Sequence, residues 1–213
     1  MFAGHYGPAA AAADGRIKLW HGFVAVQFLD ILWAPFVMLG VEHVRIVPHF
    51  TEANHFDLYH MPWTHSLVMA IFWSAAAGLA YQALRKTGGL VIGALVFSHW
   101  ILDFIAHKPD LELWFGGPKV GLGLWDHRSL SFSVELGLVV IGFMIYLART
   151  RAKGLAGAIA PFILMALLIA AQTVGNFGPP PADGNEAAMT AITAYAVFIA
   201  LAATADALRA PKR

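Results

Sequence analysis

The sequence predicts an all-α, polytopic transmembrane bundle. Three features carry that expectation: long apolar runs recur along the chain, charged residues are scarce, and glycine- or proline-rich joints separate the runs. Apolar residues make up 59% of the 213 positions and charged residues 13%, and the mean hydropathy is +0.64. That balance lies outside the soluble range and suits a lipid bilayer as solvent and partner. A net charge of +1 makes no broad basic field, so nucleic acid is excluded as a partner class. Oligomeric state leaves no mark on the sequence.

A helix that crosses the hydrocarbon layer needs about 20 mostly apolar residues. Six runs qualify, near residues 20–41, 65–84, 88–107, 130–148, 155–175 and 187–208, so about six spans are expected, or five if one run does not cross. Breakers fall between them: Gly88-Gly89, Gly116-Gly117-Pro118, and Gly178 followed by Pro179, Pro180 and Pro181. No internal repeat appears. The chain reads as one integral membrane domain, with residues 1–150 carrying the candidate metal-site core and residues 151–213 adding two helices.

Short loops rich in Lys and Arg stay cytoplasmic. Arg16 and Lys18 precede the first span, Arg85 and Lys86 follow the second, Arg149, Arg151 and Lys153 follow the fourth, and Arg209, Lys212 and Arg213 follow the sixth. These clusters fall on one side, which places both termini in the cytoplasm. Trp20, Trp63, Trp114 and Trp125 stand near span ends as interfacial anchors. The triplet Asp126-His127-Arg128 reads as a solvated loop.

The N-terminus lacks the basic and apolar regions of a signal peptide. Pro8 to Ala13 instead reads as a short helix that starts at Pro8 and descends to Arg16 and Lys18. Such a half-span would begin about 12 Å above the cytoplasmic boundary, which brings His5 to the level of Asp30.

Ionisable groups deep in a span cost at least about 2.5–3.5 kcal/mol to insert, so they mark function. Asp30 lies in the first span, His99 and Asp103 in the third, and Glu135 in the fourth. His99 and Asp103 are four residues apart, hence on one helix face, and a second helix must complete any ligand shell around them. His107 continues that face toward the outer surface. His65 enters the second span just after Pro62, in the first helical turn, facing inward. With ten histidines and no cysteine, a metal here must be held by imidazole and carboxylate.

The order Gly4-His5, Asp30 in an apolar run, Thr64-His65-Ser66 opening a helix, then Ser98-His99 with Asp103 resembles the YdjM-like family of bacterial inner-membrane metal-dependent hydrolases. The resemblance covers roughly residues 1–150. That family carries an Asp-x-Asp-His element and an His-Arg-Gly-x-Thr-His-Ser element; here the first is reduced to Asp30 and the second reads His60-Met61-Pro62-Trp63-Thr64-His65-Ser66. More distantly, the residue order is similar to the metal motif of helical zinc-dependent phospholipases C. The two likenesses together imply an inner-membrane location and His5, Asp30, His65, His99 and Asp103 as ligands of one or two zinc-like divalent ions, with Asp103 as a bridge. They also imply a phosphoester or lipid-like substrate. Asp30 or Glu135 would handle the proton beside a metal-activated water.

A transporter that moves ions, protons or a small solute past the same His and Asp residues is the rival from another class. Repeated halves would favour it, and the sequence has none. A non-catalytic membrane assembly protein is the third alternative.

Overall fold

A computed structural model describes residues 1–212 and is all-α, with three two-stranded sheets as its only strands among those residues. Five helices are long and apolar enough to cross a membrane: α5 (Leu67–Arg85), α6 (Gly89–Ala106), α7 (Arg128–Arg149), α8 (Leu155–Phe177) and α9 (Gly184–Ala207). The first expected span is a broken one. It consists of α2 (Leu19–Val26) and α3 (Phe28–Met38), bent by 48° at Gln27. Counting that pair, the six-span expectation holds.

Ahead of the spans, Ala3–His5 form one 3-10 turn that runs into α1 (Tyr6–Ala12). The helix thus starts two residues before Pro8, which occupies its first turn, where its missing N–H is harmless. The segment is a buried plug. Ala3, Gly4, His5, Tyr6, Gly7, Ala9 and Ala10 are all buried. Small residues make the insertion feasible: a Cβ on Gly7 would strike the Leu138 carbonyl of α7, and one on Gly142 would strike the Gly7 carbonyl. The two backbones touch where neither residue has a side chain. Tyr6, Phe23, Val139, Phe143 and Tyr146 then join one apolar core around this contact.

Two hairpins that the apolar runs do not foretell cap one end. Strands β1 (His43–Ile46) and β2 (Phe56–His60) pair antiparallel, as do β3 (Leu111–Glu112) and β4 (Lys119–Val120). The one-turn helix α4 (Pro62–His65) leads from the first hairpin into α5. At the other end β5 (Thr150–Ala152) pairs with β6 (Arg209–Pro211). Arg149 reaches the Ala11 carbonyl at 2.6 Å and Lys153 the Ala207 carbonyl at 2.9 Å. The basic loop of Arg149 and Lys153 therefore packs against both α1 and the end of α9.

Candidate metal centre

Four elements converge on one polar cluster. On α6, one helical turn aligns His99 with Asp103, and His99 Nε2 lies 3.0 Å from Asp103 Oδ2. His99 Nδ1 lies 2.6 Å from the Val26 carbonyl oxygen. A carbonyl only accepts, so Nδ1 carries the proton and Nε2 turns its lone pair to the cluster. Both side chains are buried.

His65 enters from the end of α4. Its Nε2 lies 3.3 Å from Asp30 Oδ1, 3.3 Å from His99 Nε2 and 3.6 Å from Asp103 Oδ2. Behind the ring runs a chain of hydrogen bonds: Nδ1 is 2.7 Å from Thr64 Oγ1, which donates to Glu42 Oε2 at 2.6 Å. Because the hydroxyl proton is spent on Glu42, Thr64 accepts from His65 Nδ1–H, and Nε2 is again the free lone pair. The other Glu42 oxygen accepts the backbone N–H groups of Trp63 and Thr64 at 2.8 and 2.9 Å. Burial pushes the Glu42 carboxyl up, while His65 and these hydrogen bonds act against that rise.

His5 arrives on the plug. Its ring stacks on His99 with centroids 3.9 Å apart and planes within 3°, and its Nε2 is 3.2 Å from Asp103 Oδ1. The Met1 amine pairs with the same oxygen. Glu135 of α7 secures the plug, since its Oε2 accepts from Phe2 N–H at 2.9 Å and Gly4 N–H at 3.2 Å. Gln172 of α8 accepts from Ala3 N–H at 3.1 Å.

The five residues singled out as ligands fall into two overlapping groups. His5, His99 and Asp103 form one and Asp30, His65 and His99 the other, the ligand atoms of each lying within 4.8 Å of one another. Asp103 turns Oδ1 to His5 and Oδ2 to His65 and His99. The His65 and His99 imidazoles with fixed tautomers, together with His5 and the two carboxylates, make donor sets that could hold a metal ion. His107 stands outside both groups. Its Nε2 is 3.6 Å from Asp103 Oδ1 and its Nδ1 2.8 Å from Asp110. Burial opposes its charge, but Asp110 and Asp103 prevail and hold its pKa at about 9.

A cavity of about 590 Å³ opens beside these groups, with Asp30, His65, Asp103, His107 and Glu135 in its wall. Trp125, expected as an interfacial anchor, instead packs its ring 4.2 Å from that of His107 and lines the cavity. Trp20, Trp63 and Trp114 are exposed. Asp126 pairs with Lys108 at 3.2 Å, on the surface.

Comparison of the chain with protein-family models, curated proteins and solved structures returns no match.

Several contributors have no sequence signal. Glu42 lies in a connecting segment, and only the fold brings it to Thr64. Tyr195 of α9 donates to Asp30 Oδ2 at 2.6 Å, and nothing separates it in sequence from an ordinary interfacial tyrosine. Together with Gln172, it carries the surroundings of the cluster past residue 150 into α8 and α9.

Proposed function

We propose that the chain is a membrane-embedded metal-dependent hydrolase acting on a phosphoester or another polar lipid linkage. One observation carries this reading: two His/Asp groups that share the buried His99 contribute Asp30, His65 and Asp103 to the wall of a cavity large enough for a ligand. Such convergence of polar groups in an otherwise apolar cavity marks a reaction site more readily than a structural contact. The order of the motifs, which resembles that of the YdjM-like hydrolases, agrees with it.

His5, Asp30, His65, His99 and Asp103 would hold the ion or ions. A zinc-like ion held there would supply Lewis acidity and a water of lowered pKa, about 7. The chain's own groups do the rest. Thr64 and the Val26 carbonyl hold the two imidazoles in the tautomer that presents Nε2. Tyr195 orients Asp30, leaving Oδ1 toward the histidines. Glu135 commits Oε2 to the plug and keeps Oε1 for proton transfer to the leaving group.

Purified protein should contain about one or two equivalents of divalent metal and release product from phosphoester- or ester-linked amphiphiles. A chelator should abolish both and zinc should restore both. Protein that carries no metal, takes none up and hydrolyses neither class of amphiphile would remove this reading.

The same proposal places the chain in a bacterial inner membrane with the C-terminus and the turn of Arg16 and Lys18 cytoplasmic, from the basic clusters on one side of six spans. The expectation of a cytoplasmic N-terminus is corrected, since Met1 itself is buried in the bundle against Asp103. The sequence has no cysteine, so single cysteines can be read cleanly. Lys119→Cys and Asp183→Cys should react with an impermeant thiol reagent from outside intact cells. Reaction only after the inner membrane is opened would reverse the orientation.

A further inference from the structure

The two ends of the bundle handle charge differently. At the hairpin end Arg45 pairs with Asp57 and Lys108 with Asp126. The opposite end carries nine lysines and arginines among the described residues, in segments 16–18, 85–86, 149–153 and 209–212, against two carboxylates, Asp14 and Asp206. None of the nine forms an ion pair among those residues. Both carboxylates are engaged by other donors. Asp14 accepts the N–H groups of Arg16 and Ile17 at 2.9 and 3.1 Å, and Asp206 accepts from Trp20 N–H at 3.2 Å and the Tyr146 hydroxyl at 3.4 Å.

Three of the basic segments lie side by side. A Cβ on Gly15 would strike the Pro211 ring, and the Lys212 N–H donates to the Arg149 carbonyl at 2.8 Å. Lys18 and Arg209 line one small recess with Tyr146, Thr150 and Asp206. Helix C-termini attract cations, and that accounts for Arg149, Lys153 and Lys212, whose side chains reach the Ala11, Ala207 and Leu147 carbonyls. It leaves Arg16, Lys18 and Arg151 unexplained, because their side chains have no hydrogen-bond partner among the described residues. Apolar side chains adjoin the same end: Leu84, Leu90 and Leu155 are each more than three-quarters exposed. Cations above and bare leucines below match the boundary between headgroups and hydrocarbon, whereas a soluble polyanion would use the cations alone.

We propose that this collar is a binding surface for anionic phospholipids. Their phosphates sit on Arg16, Lys18 and Arg151, and their acyl chains lie along the neighbouring leucines. A zwitterionic phospholipid brings an ammonium with each phosphate, and the two carboxylates that could receive it are already engaged, so it gains less. The inference stands apart from the hydrolase reading, since it needs neither metal nor reaction.

The test is electron spin resonance on the full chain reconstituted in phosphatidylcholine bilayers, with trace spin-labelled phosphatidylglycerol or spin-labelled phosphatidylcholine of the same acyl chains as probe. One Lys or Arg near an anionic surface is worth about fivefold in association. Averaged over all the lipids around the bundle, about a threefold preference for phosphatidylglycerol should remain. Molar sodium chloride should shrink it. The combined variant Arg16→Gln, Lys18→Gln and Arg151→Gln removes no side-chain hydrogen bond and should bring the two lipids close to parity. Equal association of both lipids with wild-type protein, or a preference that the combined variant keeps, overturns the inference. Loss of the preference on adding millimolar inorganic phosphate at constant ionic strength does so as well, since the collar would then be a site for free phosphate.

Discussion

Helices α5 and α6 are consecutive, nearly equal in length at 19 and 18 residues, and both apolar enough to cross a membrane, yet their surroundings differ sharply. Only 11% of the apolar stretch of α5 is buried against the rest of the chain, against 44% for α6. Leu79 and Leu84 of α5 are exposed, while Val96, His99 and Asp103 of α6 are buried. Hydropathy therefore finds both spans without ranking them. Two polar residues one turn apart do rank them, because a helix with such a pair must turn it toward partners rather than lipid.

Substitutions can press on that contrast, and the greatest effect belongs to α6. His99 belongs to both ligand groups, so His99→Ala should reduce bound metal to below about one-tenth of the wild-type content, with Asp103→Ala close behind. Leu79→Ala on α5 should leave metal content unchanged and alter stability by less than about 0.5 kcal/mol. Elemental analysis beside thermal unfolding in detergent reads both. Equal losses from the α5 and α6 substitutions would erase the distinction.

The next effect concerns the plug, which lacks a span's length and is nonetheless buried. Gly142→Leu puts a side chain where the Gly7 carbonyl lies and should push α1 off α7, carrying His5 away from Asp103. Metal affinity should fall at least about tenfold, because a ligand group is lost while the helices that supply Asp30, His65 and His99 remain. Chelator competition measures the fall, and the circular dichroism signal reports that the bundle persists. Unchanged affinity would remove His5 from the site.

A subtler change separates ligand from support. Thr64→Val deletes the hydroxyl between His65 and Glu42 and should weaken metal binding about 10–100-fold, whereas Thr64→Ser should restore it. Equal affinity in both variants would make the Glu42–Thr64–His65 chain structural only.

The spans were legible in the sequence because a bilayer demands length and apolarity, and both are local properties. His99 and Asp103 were legible as a pair for a similar reason, one turn of one helix. The level of His5 followed from counting back from Arg16 and Lys18, although Pro8 drew the helix start two residues late. Other features were hidden because they depend on contacts between distant segments. No apolar run foretells the break at Gln27, which coincides with the plug: the Gln27 amide reaches the Phe2 carbonyl at 3.5 Å. Glu42, Gln172 and Tyr195 act through neighbours 22 to 169 positions away.

The bend between α2 and α3 also has a thermodynamic meaning. Val26 ends α2, so its carbonyl is one of the four that a helix terminus leaves without an intrahelical partner. His99 takes that carbonyl at 2.6 Å. Straightening the pair into one continuous span would return Val26 to the backbone ladder and release the His99 Nδ1 proton, so the ring could present either nitrogen. Helix shape and ion affinity are thus linked quantities, and linkage is reciprocal: whatever the bend adds to the affinity of the centre, an ion in the centre adds equally to the persistence of the bend.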